Sequence, residues 1–182
     1  MVSVYEYWRF NWTKKRNKEY TRYIDEHRNY IKKALSQFLK MKIVDLSQHD
    51  IEMLSSAVES HDISKYGIEE FEPYRKHFFP SSFENKMDSE KEFQIAVQHH
   101  YLVNDHHPQN PSRKDGLNKI ACIHNVLDWI AMSYKFKDNI WDFYSNSKIS
   151  QKINPLEKEY IEKILDEMKL YKNIIYENEE ER

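Results

Sequence analysis

Two glycines and five prolines among 182 residues leave this chain few means of making tight hairpin turns. A sheet protein needs many of them. Lysine, glutamate, isoleucine, leucine and tyrosine abound instead, and apolar residues recur at spacings of three and four. The expectation is an all-α fold, a helical bundle with a real buried core. Balanced charges, 28 basic against 30 acidic, set up no field that would recruit duplex nucleic acid or a membrane surface. The single cysteine, Cys122, excludes an intramolecular disulfide framework and suits a reducing compartment. No apolar run reaches the length of a bilayer span, and Met1 to Trp12 lacks a signal-peptide pattern, so a soluble, cytoplasmic protein is expected.

Three regions follow from the pattern. Residues 1–16 hold Tyr5, Tyr7, Trp8, Phe10 and Trp12, ring surface expected to pack on the domain. Residues 17–136 form the core, and 137–182 a C-terminal helical extension opened by Pro155 at a helix first turn. The first helix, about Asn17 to Lys40, carries an apolar stripe from Tyr20 through Ile24, Ile31 and Ala34 to Phe38. His27 falls on that stripe, as a core histidine bonded to a carbonyl or as a ligand. A second helix opens at Ser47, with Asp50 placed for a capping box. Its buried face, Ile51, Leu54 and Val58, continues onto His61, Asp62 and Lys65. Two readings stand for that trio: an Asp62–Lys65 ion pair at a helix end capped by Gly67, or a metal site, which accounts for His61 as well.

Further along, a short helix is expected over Ile68 to His77, where Glu69, Glu72 or His77 either rim a site or stay solvated. A helix from about Asp88 carries Phe93, Ala96, Val97 and His100 on one face, with His99 about 100° away. His106 and His107 lie at its end, in a solvated turn or a working one. The loop from Pro108 to Asp115 suits a substrate lid, and Arg113 and Lys114 suit a phosphate, although an ordinary polar loop has the same composition. In the next helix, Leu117 to Phe136, His124 and Asp128 share a face with Ile120, Ala121, Leu127 and Ala131. A carboxylate flanked by Leu127 and Trp129 is an anomaly that needs a partner. Imidazoles and carboxylates together bind Mn, Fe, Co, Ni or Zn, with Mg admitted, as one or two ions. Such an ion makes hydroxide available at neutral pH, with Lys65 and a nearby histidine as catalytic partners.

In its order His27, His61-Asp62, Asp128 the chain resembles the HD-domain superfamily of metal-dependent phosphohydrolases. Asp62-Ile63-Ser64-Lys65 is similar to the HD-x-x-K form, and the His99-His100 pair ahead of Asp128 to the HD-GYP branch, without its GYP triplet. The strings HDISKYGIEEFEPYRKHFFP, QHHYLVNDHHP and HNVLDWIAMSYKF look more closely like an HD-like family of bacteria and phages, in which Tyr-Trp rather than Gln109-Asn110 follows the HHP. The resemblance implies an HD-domain-like helical bundle with His27, His61, Asp62, His99 and Asp128 as metal ligands, and His100 and His106 near a second metal or the substrate. It implies hydrolysis of a phosphoester in a small nucleotide-type substrate, a cyclic nucleotide or nucleotide signal among them. Two other classes share these features: an HD-fold di-iron oxygenase, and a catalytically silent scaffold binding a nucleotide or a protein.

Overall fold

The computed structural model describes residues 4–176, and among them the regular structure is helical. The helices are α1 (Val4–Met41), α2 (Gln48–Glu59), α3 (Phe71–Phe78), α4 (Lys86–Val103), α5 (Lys119–Phe136), α6 (Ile140–Asn146), α7 (Pro155–Met168) and α8 (Lys172–Tyr176). No helix among the described residues is long and apolar enough to cross a membrane. The N-terminal segment is not separate from the first helix, because α1 begins at Val4. Phe10 is 66 % exposed rather than packed down. Trp12 is half-buried, with the Lys15 and Arg16 cations over its ring. The side chains of Tyr5, Tyr7 and Trp8 lie outside the described residues.

The chain divides into two compact units, a different division from 1–16, 17–136 and 137–182. The first takes α1 as far as Glu26 together with Asp62–Asn104. Its core is Tyr20, Ile24, Tyr74 and Ala96, with Tyr23, Phe71, Phe79, Phe93 and Val97 packed around it. Rings dominate, and Tyr20 meets Phe71 edge-on at 5.2 Å while Tyr74 meets Phe93 at 5.0 Å. A buried Arg75 is held bidentately by Glu84 across the α3–α4 connection.

The second unit comprises His27–His61 and the chain from Asp105 on. Helix α5 is its centre. Ala121, Cys122, Ile123, Val126, Leu127, Trp129, Ile130, Ala131 and Tyr134 are all buried, so the helix is enclosed almost all round rather than along the single stripe expected. Ile31, Ala34 and Phe38 of α1, Leu54 and Val58 of α2, and Ile161, Ile164 and Leu165 of α7 complete this core. Ser47 and Asp50 make the expected capping box, and Pro155 opens α7 behind an Asn154 cap. Ahead of Pro155, the stretch 137–154 contains α6, capped by Asn139.

The expected continuation of α2 through Lys65 does not occur. The helix ends at Glu59, and Asp62 adopts a left-handed conformation at φ 56° before a 3₁₀ turn over Ile63–Tyr66. Aspartate tolerates that region better than most side chains, and residues held there cluster at functional sites. Gly67 is extended rather than a left-handed cap, at φ −75°. A Cβ there would stand 3.0 Å from the Ser64 carbonyl oxygen, a tighter contact than most Cβ atoms make, so a larger residue would need the Ser64 backbone to give way.

Candidate metal centre

Each unit gathers its own group of ionisable side chains. In the second unit, α1 supplies His27, the turn after α2 supplies His61, and α5 supplies Asp128. His27 Nε2 lies 2.9 Å from His61 Nε2 and 3.0 Å from Asp128 Oδ1, and His61 Nε2 lies 3.6 Å from the same oxygen. His27 and His61 are buried, and the Asp128 side chain is 14 % exposed. A single imidazole proton can serve only one of these contacts at a time. Donor atoms set about 2.0–2.1 Å from one ion stand roughly 2.8–3.4 Å from each other in octahedral or tetrahedral arrangements. The two His27 separations fall in that range, His61 to Asp128 at 3.6 Å is slightly longer, and the group could hold a metal ion.

His61 is braced from its other nitrogen, Nδ1, which lies 3.0 Å from His124 Nε2. A ligand imidazole commonly spends its second nitrogen on such a partner, which fixes tautomer and ring angle. His106 completes a second group that can hold an ion, His61–His106–His124. The i, i+4 spacing of His124 and Asp128 signals that both share a face of α5; which histidine His124 meets depends on packing.

The first unit holds Asp62, Glu70, His99 and His100. Lys65 Nζ donates to Asp62 Oδ2 at 2.6 Å, so the ion pair weighed from the sequence is formed, and the ammonium also lies 5.5 Å over the Tyr74 ring. His100 Nε2 lies 3.3 Å from Asp62 Oδ1 and its Nδ1 2.8 Å from Glu70 Oε2. His99, expected as a ligand, has its Nδ1 2.8 Å from Glu70 Oε1, on the same carboxylate as His100. Asn104 donates to Ser64 Oγ and to the His100 carbonyl, both at 2.9 Å.

These contacts set the charges. Burial pushes the His100 imidazole down, but Asp62 and Glu70 outweigh it and hold its pKa above the usual value. Burial likewise opposes ionisation of Glu70, yet hydrogen bonding to His100, the charge on His100 and the bond to His99 bring its carboxyl below the usual range. Glu70 is the residue that sequence reasoning missed. Glu69, Glu72 and His77, named for a rim, are exposed, whereas Glu70 is fully buried.

The phosphate-binding role expected of Arg113 meets a different environment. Its guanidinium is buried in the second unit, where Nε and one terminal nitrogen bond the Glu157 carboxylate at 2.9–3.2 Å. Another terminal nitrogen donates to the His106 carbonyl at 2.5 Å. Its cationic valence is spent internally, so Arg113 does not line an open polar loop; Lys114 is exposed. Asn154 donates to the carbonyls of Arg113 and Gly116, tying the start of α7 to the same loop.

The model of a family of unknown function, DUF5662, matches residues 16–169. The chain belongs to this family. No curated protein and no solved structure matches it. The matched stretch of this DUF5662 member runs from α1 to just past α7, so it includes His27, His61, His106, His124, Asp128 and the Arg113–Glu157 pair.

Proposed function

We propose that this DUF5662 member is a metal-dependent phosphohydrolase that cleaves a phosphoester of a nucleotide-type substrate. The observation that carries the reading is the closure of His27 Nε2, His61 Nε2 and Asp128 Oδ1 to within 2.9–3.6 Å of one another in a largely buried setting. The order of these residues, and the resemblance of the strings around them to the HD-domain superfamily, supports hydrolysis over other uses of such a centre. A divalent ion held there supplies a water of lowered pKa and a counter-charge for a phosphoryl oxygen. The rest is the work of the chain. His124 fixes the His61 ring through Nδ1, and the buried walls of α1 and α5 restrict water. In the first unit, taken by itself, Glu70 lies 2.8 Å from His100 and Asp62 accepts from Lys65.

The test is turnover by chelator-stripped protein reloaded with Mn²⁺, Co²⁺ or Zn²⁺, on bis-p-nitrophenyl phosphate and a panel of linear and cyclic nucleotides. Phosphate release or ring opening is expected, falling at least about 100-fold in Asp128→Asn with the far-UV spectrum unchanged. Undiminished turnover in that variant, or none on the whole panel by metal-loaded protein, refutes the proposal.

A further inference from the structure

His61 faces a histidine from each ring nitrogen: His27 at 2.9 Å from Nε2, and His124 at 3.0 Å from Nδ1. His106 stands against the second of these, its ring centre 4.5 Å from that of His61 and 4.6 Å from that of His124. One nitrogen from each of the three rings falls within 4.8 Å of the others. All three residues are at most 3 % exposed, and they come from separate segments of the second unit: the turn after α2, the stretch ahead of the Arg113 loop, and α5. Ordinary helical packing gives no reason to gather three imidazoles in an interior. The loop is also held firm, since Arg113, itself clamped by Glu157, donates to the backbone carbonyl of His106.

We propose that His61, His106 and His124 form a second, all-histidine pocket for a borderline divalent cation, alternative to the His27–His61–Asp128 centre and sharing His61 with it. The inference rests on reading that first centre as a metal site. A neutral imidazole carries one lone pair and one N–H. With Nε2 spent on a cation, Nδ1 donates to His124; with Nδ1 spent, Nε2 donates toward His27 and Asp128. One neutral His61 therefore serves one ion, in either of two positions. The two positions differ in chemistry. Three imidazoles without an oxygen ligand favour Zn²⁺, Co²⁺ or Ni²⁺ and discriminate against Mg²⁺ and Mn²⁺, whereas the Asp128 carboxylate widens the range of the first centre.

The experiment is a Co²⁺ titration of the chelator-stripped full chain, read by visible d–d absorption and by metal content after gel filtration. Wild type is expected to take up one equivalent. Asp128→Asn should still hold one equivalent, with an altered d–d spectrum as the ion moves to the three histidines. Adding His124→Ala to Asp128→Asn should weaken uptake at least about 100-fold, beyond what an outer-shell substitution costs. His106→Gln in the same background should do likewise from the loop, which keeps the test open if the α5 double variant does not fold. Loss of cobalt in Asp128→Asn alone, or no further loss on adding either histidine substitution, overturns the second pocket while leaving the phosphohydrolase proposal standing. Two equivalents held at once by wild type overturn the sharing of His61. No cobalt in wild type overturns both proposals.

Discussion

Replacing Glu70 by glutamine removes one negative charge from beneath two imidazoles and keeps the shape of the side chain. Glu70 is fully buried, and its two oxygens lie 2.8 Å from His99 and 2.8 Å from His100. Hydrogen bonds to charged groups contribute roughly 1.5–3 kcal/mol, and removing one member of a buried pair costs about 3–5 kcal/mol. With the amide retaining part of the bonding, a loss of about 3 kcal/mol is expected where both partners are charged. Because the His100 pKa is raised above its ordinary 6.5, its contribution is fully present below pH 6.5 and is lost as pH rises through the raised value. Because the Glu70 pKa is lowered below its ordinary 4.5, its contribution is present above pH 4.5 and is lost as pH falls through the depressed value. The substitution should therefore cost most between pH 4.5 and 6.5, and less once pH has risen through the raised His100 value, where a neutral imidazole leaves only the hydrogen bonds. Urea denaturation of wild type and Glu70→Gln across that range, in chelator so that no cation contributes, measures the difference directly. A difference independent of pH, or one that grows as pH rises above 6.5, refutes the assignment of Glu70 as the counter-charge of His100.

Two other expectations follow from the second unit. Arg113→Met strands the buried Glu157 carboxylate and should cost about 3–5 kcal/mol in urea denaturation, most of it recovered by adding Glu157→Leu; equal losses in single and double variants would contradict a stranded charge. Burial pushes the Cys122 thiol up to about 12, against the partial opposition of Arg113. It should therefore resist a thiol-specific reagent at pH 8 in the native state and react within the mixing time in denaturant; rapid native-state labelling would show that α5 opens readily.

Much of the fold was legible because helices announce themselves locally. The three-and-four spacing along Tyr20, Ile24, Ile31 and Phe38, the Ser47–Asp50 box and Pro155 each depend on neighbours within a turn or two. So do the anomalies that pointed to a site: His27 on an apolar stripe, and Asp128 between Leu127 and Trp129. His27, His61 and Asp128 do come together. Where local reasoning failed, a longer-range contact decided. The helical pattern of α2 ran on through His61 and Asp62, but the chain turns left-handed at Asp62, and the consecutive residues fall into different units.

What the sequence determined by itself is an all-helical chain with a set of ligand-type residues on faces meant for burial. Tertiary structure alone decided their company. Glu70 looks no different in sequence from Glu69 and Glu72, yet it is the one buried under His99 and His100. Arg113 reads as a solvated loop cation, yet it is neutralised by Glu157, 44 residues away. Periodicity is a property of a few consecutive residues and can be read off them. The partner of a buried charge is chosen by which distant segments pack together, and the cost of leaving that charge without one enforces the choice.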